Sequence, residues 1–326
     1  MANKAQKTGE AQISRVAKTW FYIGGAILFA WYIALPFIAS PYMVSVMFML
    51  FVYVAYAEGW NIMSGLTGYV NFGYSMFSGV AGYTSVILLI DHGVFWPVAW
   101  ILGGVGAAVV ALLLGSIMLR LRGSYFAIGM LALLLGIKLL AASKYLAPLT
   151  RGGYGFPFLE PVSTTTMYYA AGVVAFASIF VCYKVLTTPF GARLLAIRED
   201  EEAAGSLGIN ATKNKVIAFA ISAFLGGVAG SIHVAFSNYM EPDTVFNTQW
   251  TVVPIVMVLL GGQGTVWGPV IGAIILTFVE ELFWSHLPGG YMMAYALVMI
   301  LLVLWMPKGI IESLKYRGIL PKTRAI

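Results

Sequence analysis

Charge is what this chain has least of: only 10% of its 326 residues are Asp, Glu, Lys or Arg. A soluble domain typically carries about 25% charged residues, so a folded surface facing water on all sides is excluded. Cysteine is nearly absent too. Cys182 is the single one, which rules out an intrachain disulfide or a cysteine-built metal cluster, and its apolar surroundings read as those of a small buried residue. His92, His233 and His286 stand apart, near the ends of apolar runs, without metal-ligand spacing. There is no Gly-x-x-x-x-Gly-Lys-Ser/Thr phosphate loop, so the chain lacks that route to ATP hydrolysis. No cluster of facing polar groups suggests a membrane enzyme. No linker is long enough to separate two folded bodies.

What is there is apolar length. Hydrophobic residues make up 60% of the chain, with 36 glycines. A spanning helix needs about 20 mostly apolar residues, and transmembrane helices use Gly more than soluble ones do. The expected fold is an all-α polytopic bundle of about ten transmembrane helices, some of them interrupted. The predicted spans are 20–39, 42–63, 74–90, 95–119, 124–142, 167–186, 216–236, 250–260, 269–284 and 291–306. The organisation predicted is a tail at 1–19, a membrane domain at 20–306 and a tail at 307–326. Residues 20–40 are too long for the core of a secretory signal, so the first helix is expected to remain.

The basic residues fix a direction. With the N-terminus inside, Lys138, Lys144 and Arg151 are the only members of the 19 Lys and Arg that fall outside. This asymmetry follows the positive-inside rule. It predicts a multi-pass protein of the cell (inner) membrane, in contact with lipid, with both termini cytoplasmic. The net charge of +6 is therefore read as membrane orientation and not as a nucleic-acid surface.

Two glycine-rich stretches, Gly65–Gly73 and Gly261–Gly268, interrupt apolar regions without a charge. Irregular backbone at membrane depth is tolerated where protein buries it or a wet cavity surrounds it, and Gly-interrupted segments point to transporter pathways. Asn61, Gly65, Gly68, Asn71, Gly73, Gly261, Gly262, Gln263 and Gly264 are thus candidates for pathway or gating backbone. Close helix packing is the other reading, because Ser75/Gly79, Gly226/Gly230 and Gly268/Gly272 have small-xxx-small spacing. Glu58, Glu280 and Glu281 are ionisable residues in spans and hence candidate ion sites; each could also snorkel or sit at an interface.

The most hydrophilic internal stretch is 187–215, on the cytoplasmic side. Its middle, from Arg193 to Ala204, has helical composition, with Gly208 as a C-terminal stop. Arg198 and Glu202 are spaced to pair on one face. Thr212 is placed to cap the seventh span. A short amphipathic helix lying across the cytoplasmic face is expected.

Glu202-Ala-Ala204, then Gly208, matches the EAA-x-x-x-G pattern of ABC importer permeases. Further matches in order and spacing are Gly59-Trp-Asn61, Gly65-Leu-Thr-Gly68, Gly79-Val-Ala-Gly82 and Arg120-Leu-Arg122-Gly123-Ser-Tyr125. They continue with Leu149-Thr-Arg-Gly-Gly153, Pro189-Phe-Gly191, Ala196-Ile-Arg198, Leu207-Gly-Ile-Asn210, Gly261-Gly-Gln-Gly264-Thr-Val-Trp-Gly-Pro269 and Pro307-Lys-Gly309. Over most of its length the chain resembles the branched-chain amino-acid permease family (Liv type, M-like subunit).

That resemblance implies a transport subunit, not an enzyme, and a cytoplasmic coupling loop at 187–215 that docks on an ATPase through Arg193, Arg198, Glu201, Glu202, Ala203, Ala204 and Gly208. It implies a second, homologous permease subunit (LivH-like), two ATP-binding cassette subunits and an external substrate-binding protein. No cofactor belongs to this chain; ATP and Mg belong to the partner subunits. Asn71-Phe-Gly-Tyr74 and Glu58 depart from the family's pattern. Urea, short amides or aromatic compounds therefore stand beside branched-chain amino acids as cargo, and an ion-coupled secondary transporter is the competing class.

Overall fold

The computed structural model describes residues 30–157, 162–286 and 309–316, with scattered positions between 287 and 308. The chain divides into two compact units, Met1–Ser45 and Val46–Ile326. In the first, residues 30–38 are helical and the next helix begins at Pro41. The tail at 1–19, Glu160, most of the span at 291–306 and the tail beyond 316 lie outside the described residues.

The helices are α1 (Pro41–Trp60), α2 (Ser75–Ile90), α3 (Trp96–Met118), α4 (Ser124–Ala142), α5 (Ala147–Thr150), α6 (Thr164–Thr187), α7 (Pro189–Glu199), α8 (Glu201–Ser206), α9 (Ala211–Phe236), α10 (Pro242–Val245), α11 (Gln249–Gly261), α12 (Trp267–His286) and α13 (Gly309–Tyr316). Among the described residues, seven helical stretches are long and apolar enough to cross a membrane: Pro41–Gly65, Trp96–Met118, Ser124–Ala142, Thr164–Thr187, Ala211–Phe236, Pro242–Gly261 and Trp267–His286. The expected third span is a shorter apolar helix, α2. The fold is a polytopic α-helical membrane bundle.

Helices α2, α3 and α9 pack on one another through small residues. A Cβ at Gly227 would stand 2.8 Å from the Ala107 Cβ and 3.1 Å from the Gly104 Cα, so the backbones of α9 and α3 approach as closely as two glycines permit. Packing in membranes rests on such close van der Waals contact, since lipid is as apolar as the side chains. Helices α11 and α12 form a second pair around the turn that follows Gly261, and α13 packs against both. Gly226, Gly230, Gly268 and Gly272 all lie at tight contacts, so the packing reading holds for them.

The loops sort into two ends. At one, Phe156–Pro157 pairs antiparallel with Tyr239–Met240, and the Asp91 carboxylate meets Arg151 at 3.4 Å. At the other, Arg198 of the 187–215 loop donates to the Gly65 carbonyl and lies against Gly264, so the loop meets both glycine-rich stretches. The structure changes two local expectations. The loop holds two helices, α7 and α8, because Asp200 breaks the chain and caps the second: its Oδ1 accepts from the Glu202 and Ala203 amides at 2.9 Å each. The cap of α9 is Asn210 and not Thr212, with Asn210 Oδ1 accepting from the Lys213 amide at 2.9 Å.

Candidate functional site

Helix α1 does not end cleanly. Residues Asn61–Gly65 form a fully buried π turn. Such turns carry an extra residue within the helix and occur frequently at functional sites. The chain then turns back on a polar frame. Trp60 Nε1 donates to the Asn71 carbonyl at 3.0 Å, the Asn71 amide donates to Ser64 Oγ at 3.1 Å, and the Gly73 amide donates to Asn71 Oδ1 at 2.9 Å. The first glycine-rich stretch is therefore an ordered turn, held mainly by Asn71.

The second turn, beyond α11, is held to the first by one side chain. Asn61 Oδ1 accepts from the Gly264 amide at 2.8 Å, and Asn61 Nδ2 donates to the Thr265 carbonyl at 2.8 Å. Thr265 Oγ1 donates to the Gly262 carbonyl at 2.8 Å and accepts from the Gly268 amide at 3.0 Å, which closes the turn on itself. Gly262 has φ +131°, a conformation that a side chain would strain. The turn needs glycine for that reason and because Gly261 and Gly268 touch through their backbones.

The loop reaches the same place. Arg198 Nη1 donates to the Gly65 carbonyl at 2.8 Å, which caps the π turn with a cation. Arg198 does not pair with Glu202, as the helical spacing suggested; the break at Asp200 destroys that spacing. Glu202 instead meets Arg122, in the turn between α3 and α4, at 3.0 Å. Glu201 is bound inward. Lys215 Nζ donates to Glu201 Oε1 at 2.8 Å and to Tyr69 Oη at 3.0 Å, and Tyr69 Oη donates to Glu201 Oε2. Lys215 is 1% exposed, so that carboxylate is its buried counter-charge. Burial opposes ionisation of Glu201, but the hydrogen bonds from Lys215 and Tyr69 outweigh it and hold its pKa below the ordinary carboxylate value. Burial first, then Glu201, raises the Tyr69 phenol, which stays protonated and donates.

Of the sequence candidates, Asn61, Gly65, Gly264 and Arg198 meet at one point, with Glu201 close behind through Tyr69. Gly261 and Gly262 lie in the second turn, and Gly73 in the first. Gly68 is surface-exposed against the Arg198 side chain, and Gln263 is exposed. Arg193 is exposed and bonds only its own helix, at Pro189. Ala204 is buried and Ala203 exposed. Gly208 ends α8 at φ +82°, where the Ile209 amide donates back to the Ala204 carbonyl at 3.1 Å. Tyr69, Arg122, Lys215, Thr265 and Leu207 were not singled out from sequence. Leu207 is 81% exposed beside Gly208, and an apolar residue directly before a helix stop was the available signal.

The remaining candidates stand apart. Glu58 is fully buried, close to Asn61 and Cys182, and neither of its oxygens is in hydrogen-bonding geometry with a partner. Glu280 accepts from Tyr53 Oη at 3.3 Å. His233 lies against Trp250, with ring centroids 4.0 Å apart and the planes tilted by 51°. Among the described residues no group of His, Cys, Asp and Glu could hold a metal ion. The arrangement ties the 187–215 loop, the π turn and the second glycine-rich turn to one another.

The chain matches the family model described as branched-chain amino acid transport system, permease component, over residues 42–306. It is similar to the high-affinity branched-chain amino acid transport system permease protein LivM of Salmonella typhimurium, 27% identical over 308 residues, which cover 86% of this chain and 72% of the relative. The LivM protein of Escherichia coli is 28% identical over 312 residues, with the same shares of each chain covered. The LivH protein of Escherichia coli is 28% identical over 292 residues, covering 79% of this chain and 91% of the relative. No solved structure matches it.

Proposed function

The chain belongs to the family of branched-chain amino acid transport system permease components, and on that premise we propose that it forms half of the translocation pathway of an ATP-driven importer for branched-chain or related hydrophobic amino acids. The other half is a homologous permease subunit. Two ATP-binding cassette subunits bind ATP and Mg, and an external binding protein delivers cargo. The bundle has ten spans at 20–306, with both termini cytoplasmic in the inner membrane. Two of the spans lie partly or largely outside the described residues, and α2 supplies the short third one.

The observation that carries this reading is a loop with two faces. Glu201 and Arg198 bond inward, to Lys215, Tyr69 and Gly65. Glu202, 81% exposed at its side chain, and Leu207 point outward. An apolar anchor beside an acidic group suits a groove with basic or N–H-rich walls. The Gly208 stop fixes the direction in which the outward face is presented. An open groove of about 550 Å³ beside the first turn, lined by Gly68, Val70, Phe72, Gly123, Ser124, Ala127, Ile128 and Leu131, is mostly apolar, as an aliphatic side chain needs.

Copurification tests the docking face. The chain coexpressed with its ATPases brings them through affinity purification, and Glu202→Arg or Leu207→Asp abolishes that. Unchanged ATPase recovery with both variants would remove the coupling role from this loop.

A further inference from the structure

Three segments far apart in sequence meet at one backbone carbonyl and one amide side chain. Arg198, from the loop, donates to the Gly65 carbonyl at 2.8 Å. Asn61, one turn earlier in the same π turn, holds both the Gly264 amide and the Thr265 carbonyl at 2.8 Å. The contact leaves no room for a side chain at either glycine. A Cβ at Gly264 would lie 2.8 Å from Arg198 Nη1 and 3.2 Å from the Gly65 carbonyl oxygen, and one at Gly65 would overlap Asn61 Oδ1. Only glycines let the guanidinium, the π turn and the second turn touch. Beneath the second turn, Gly309 and Ile311 of α13 pack on Gly262.

The partners chosen are informative. Arg198 bonds to main chain, and Asn61 does so at Gly264 and Thr265 beside a longer 3.6 Å contact from its Nδ2 to Cys182 Sγ, so the grip is mainly on the course of the backbone. A π turn is also a place where a helix holds one residue in excess. Its return to α geometry would rotate the chain beyond it by about 100°. A displacement of the loop is thus delivered to the one part of α1 built to change register, and through Asn61 to the turn between α11 and α12.

We infer that Asn61 and Arg198 are the positioning residues of a joint that carries movement of the 187–215 loop to both glycine-rich turns, which move with the loop as one body. The inference rests on the importer reading and assigns its transmission step to these side chains. Arg198 moves the Gly65 end of α1, and Asn61 carries that movement across to Gly264. The two turns therefore shift together, not independently. Lys215, Tyr69 and Glu201 keep the loop seated while this happens, since Glu201 precedes the outward-facing Glu202 and ties the same short helix inward.

The test uses the assembled importer in proteoliposomes, with leucine as the probe, measuring uptake, ATP hydrolysis and its stimulation by the leucine-loaded binding protein. Asn61→Ala, which lies outside the docking loop, is expected to copurify with the ATPases at the wild-type ratio and to hydrolyse ATP, and uptake per ATP is read from it and from Arg198→Ala. Stimulation should disappear and uptake per ATP should fall at least about tenfold. Arg198→Lys, which keeps one donor for the Gly65 carbonyl, should recover most of the loss. Uptake per ATP at the wild-type level in both alanine variants overturns the joint.

Should Arg198→Ala fail to assemble, the Gly68→Cys/Arg198→Cys pair replaces it. A Cβ at Gly68 would stand 4.0 Å from the Arg198 Cβ, within disulfide range. Gly68 has φ +76°, so a cysteine strains the turn, but the oxidised and reduced states of one variant share that strain. Stimulation restored on oxidation supports the joint, and equal behaviour in both states overturns it. A wild-type complex that takes up no leucine with ATP overturns the importer reading, and the joint with it. Wild-type uptake matched by the variants overturns the joint alone.

Discussion

At the end of the bundle where the loop lies, a set of wholly or partly buried polar contacts joins distant segments: Asn61 reaches the Gly264 and Thr265 backbone, Arg198 the Gly65 carbonyl, and Lys215 the Glu201 and Tyr69 side chains, with the Arg122–Glu202 pair exposed outside them. At the opposite end the ion pairs are more exposed. Lys138 meets Asp243 at 2.7 Å, with the aspartate 81% exposed, and Arg151 meets Asp91 while lying over the Phe156 ring. At the first end three segments hold one relative position. At the second the contacts are ones that water can replace at little cost. Exposed ion pairs contribute about 0–1 kcal/mol, whereas a buried charge deprived of its partner costs about 3–5 kcal/mol.

That contrast can be broken by substitution. Glu201→Ala leaves Lys215 buried without a counter-charge, and it should destabilise the bundle by about 3 kcal/mol, read as a lowered thermal midpoint in detergent. The same pair gives a pH dependence. Because the folded-state pKa of Glu201 is depressed, its contribution is present above the ordinary carboxylate value. It is lost as pH falls through the lower folded value. Proteolysis within 187–215 should therefore accelerate in the wild type under acid and be pH-independent in Glu201→Ala.

Asn61→Ala strands the Gly264 amide and the Thr265 carbonyl, and should cost about 2 kcal/mol. Glu58→Leu sharpens the comparison from the other direction. It removes a buried carboxyl with no partner in hydrogen-bonding geometry, so the thermal midpoint should rise, by the equivalent of about 1 kcal/mol. A fall in the midpoint would show that Glu58 holds the bundle together. Asp243→Ala, at the opposite end, should change stability by about 0.5 kcal/mol or less. If Asp243→Ala proves as damaging as Glu201→Ala, the two ends do not differ in the way described.

Much of this fold is legible in sequence because the membrane imposes one dominant signal. The span expected at 124–142 is α4, and the one at 95–119 is α3 within one residue at each end. The loop helix was legible only in part. Asp200 is a capping residue by type, yet helical composition on both sides of it suggested one continuous helix. Lys215 read as a loop charge, because its burial depends on Glu201 and Tyr69, the latter 146 residues away along the chain. Arg198 read as a partner for Glu202 because only near neighbours can be paired from spacing. Its actual acceptor, the Gly65 carbonyl, is 133 residues away and is backbone, which carries no sequence signal at all. Both glycine-rich stretches could be located by composition, but that Asn61 ties one to the other could not.

The central claim is that this chain works as one subunit of an ATP-driven machine and not alone. Leucine uptake into proteoliposomes measures it most directly, with the purified chain under Na⁺ and H⁺ gradients set beside the full assembly supplied with ATP and binding protein. The account predicts uptake only in the assembly, dependent on ATP and lowered at least about tenfold per ATP by Arg198→Ala. Gradient-driven uptake by the chain alone, without its partners, would contradict it.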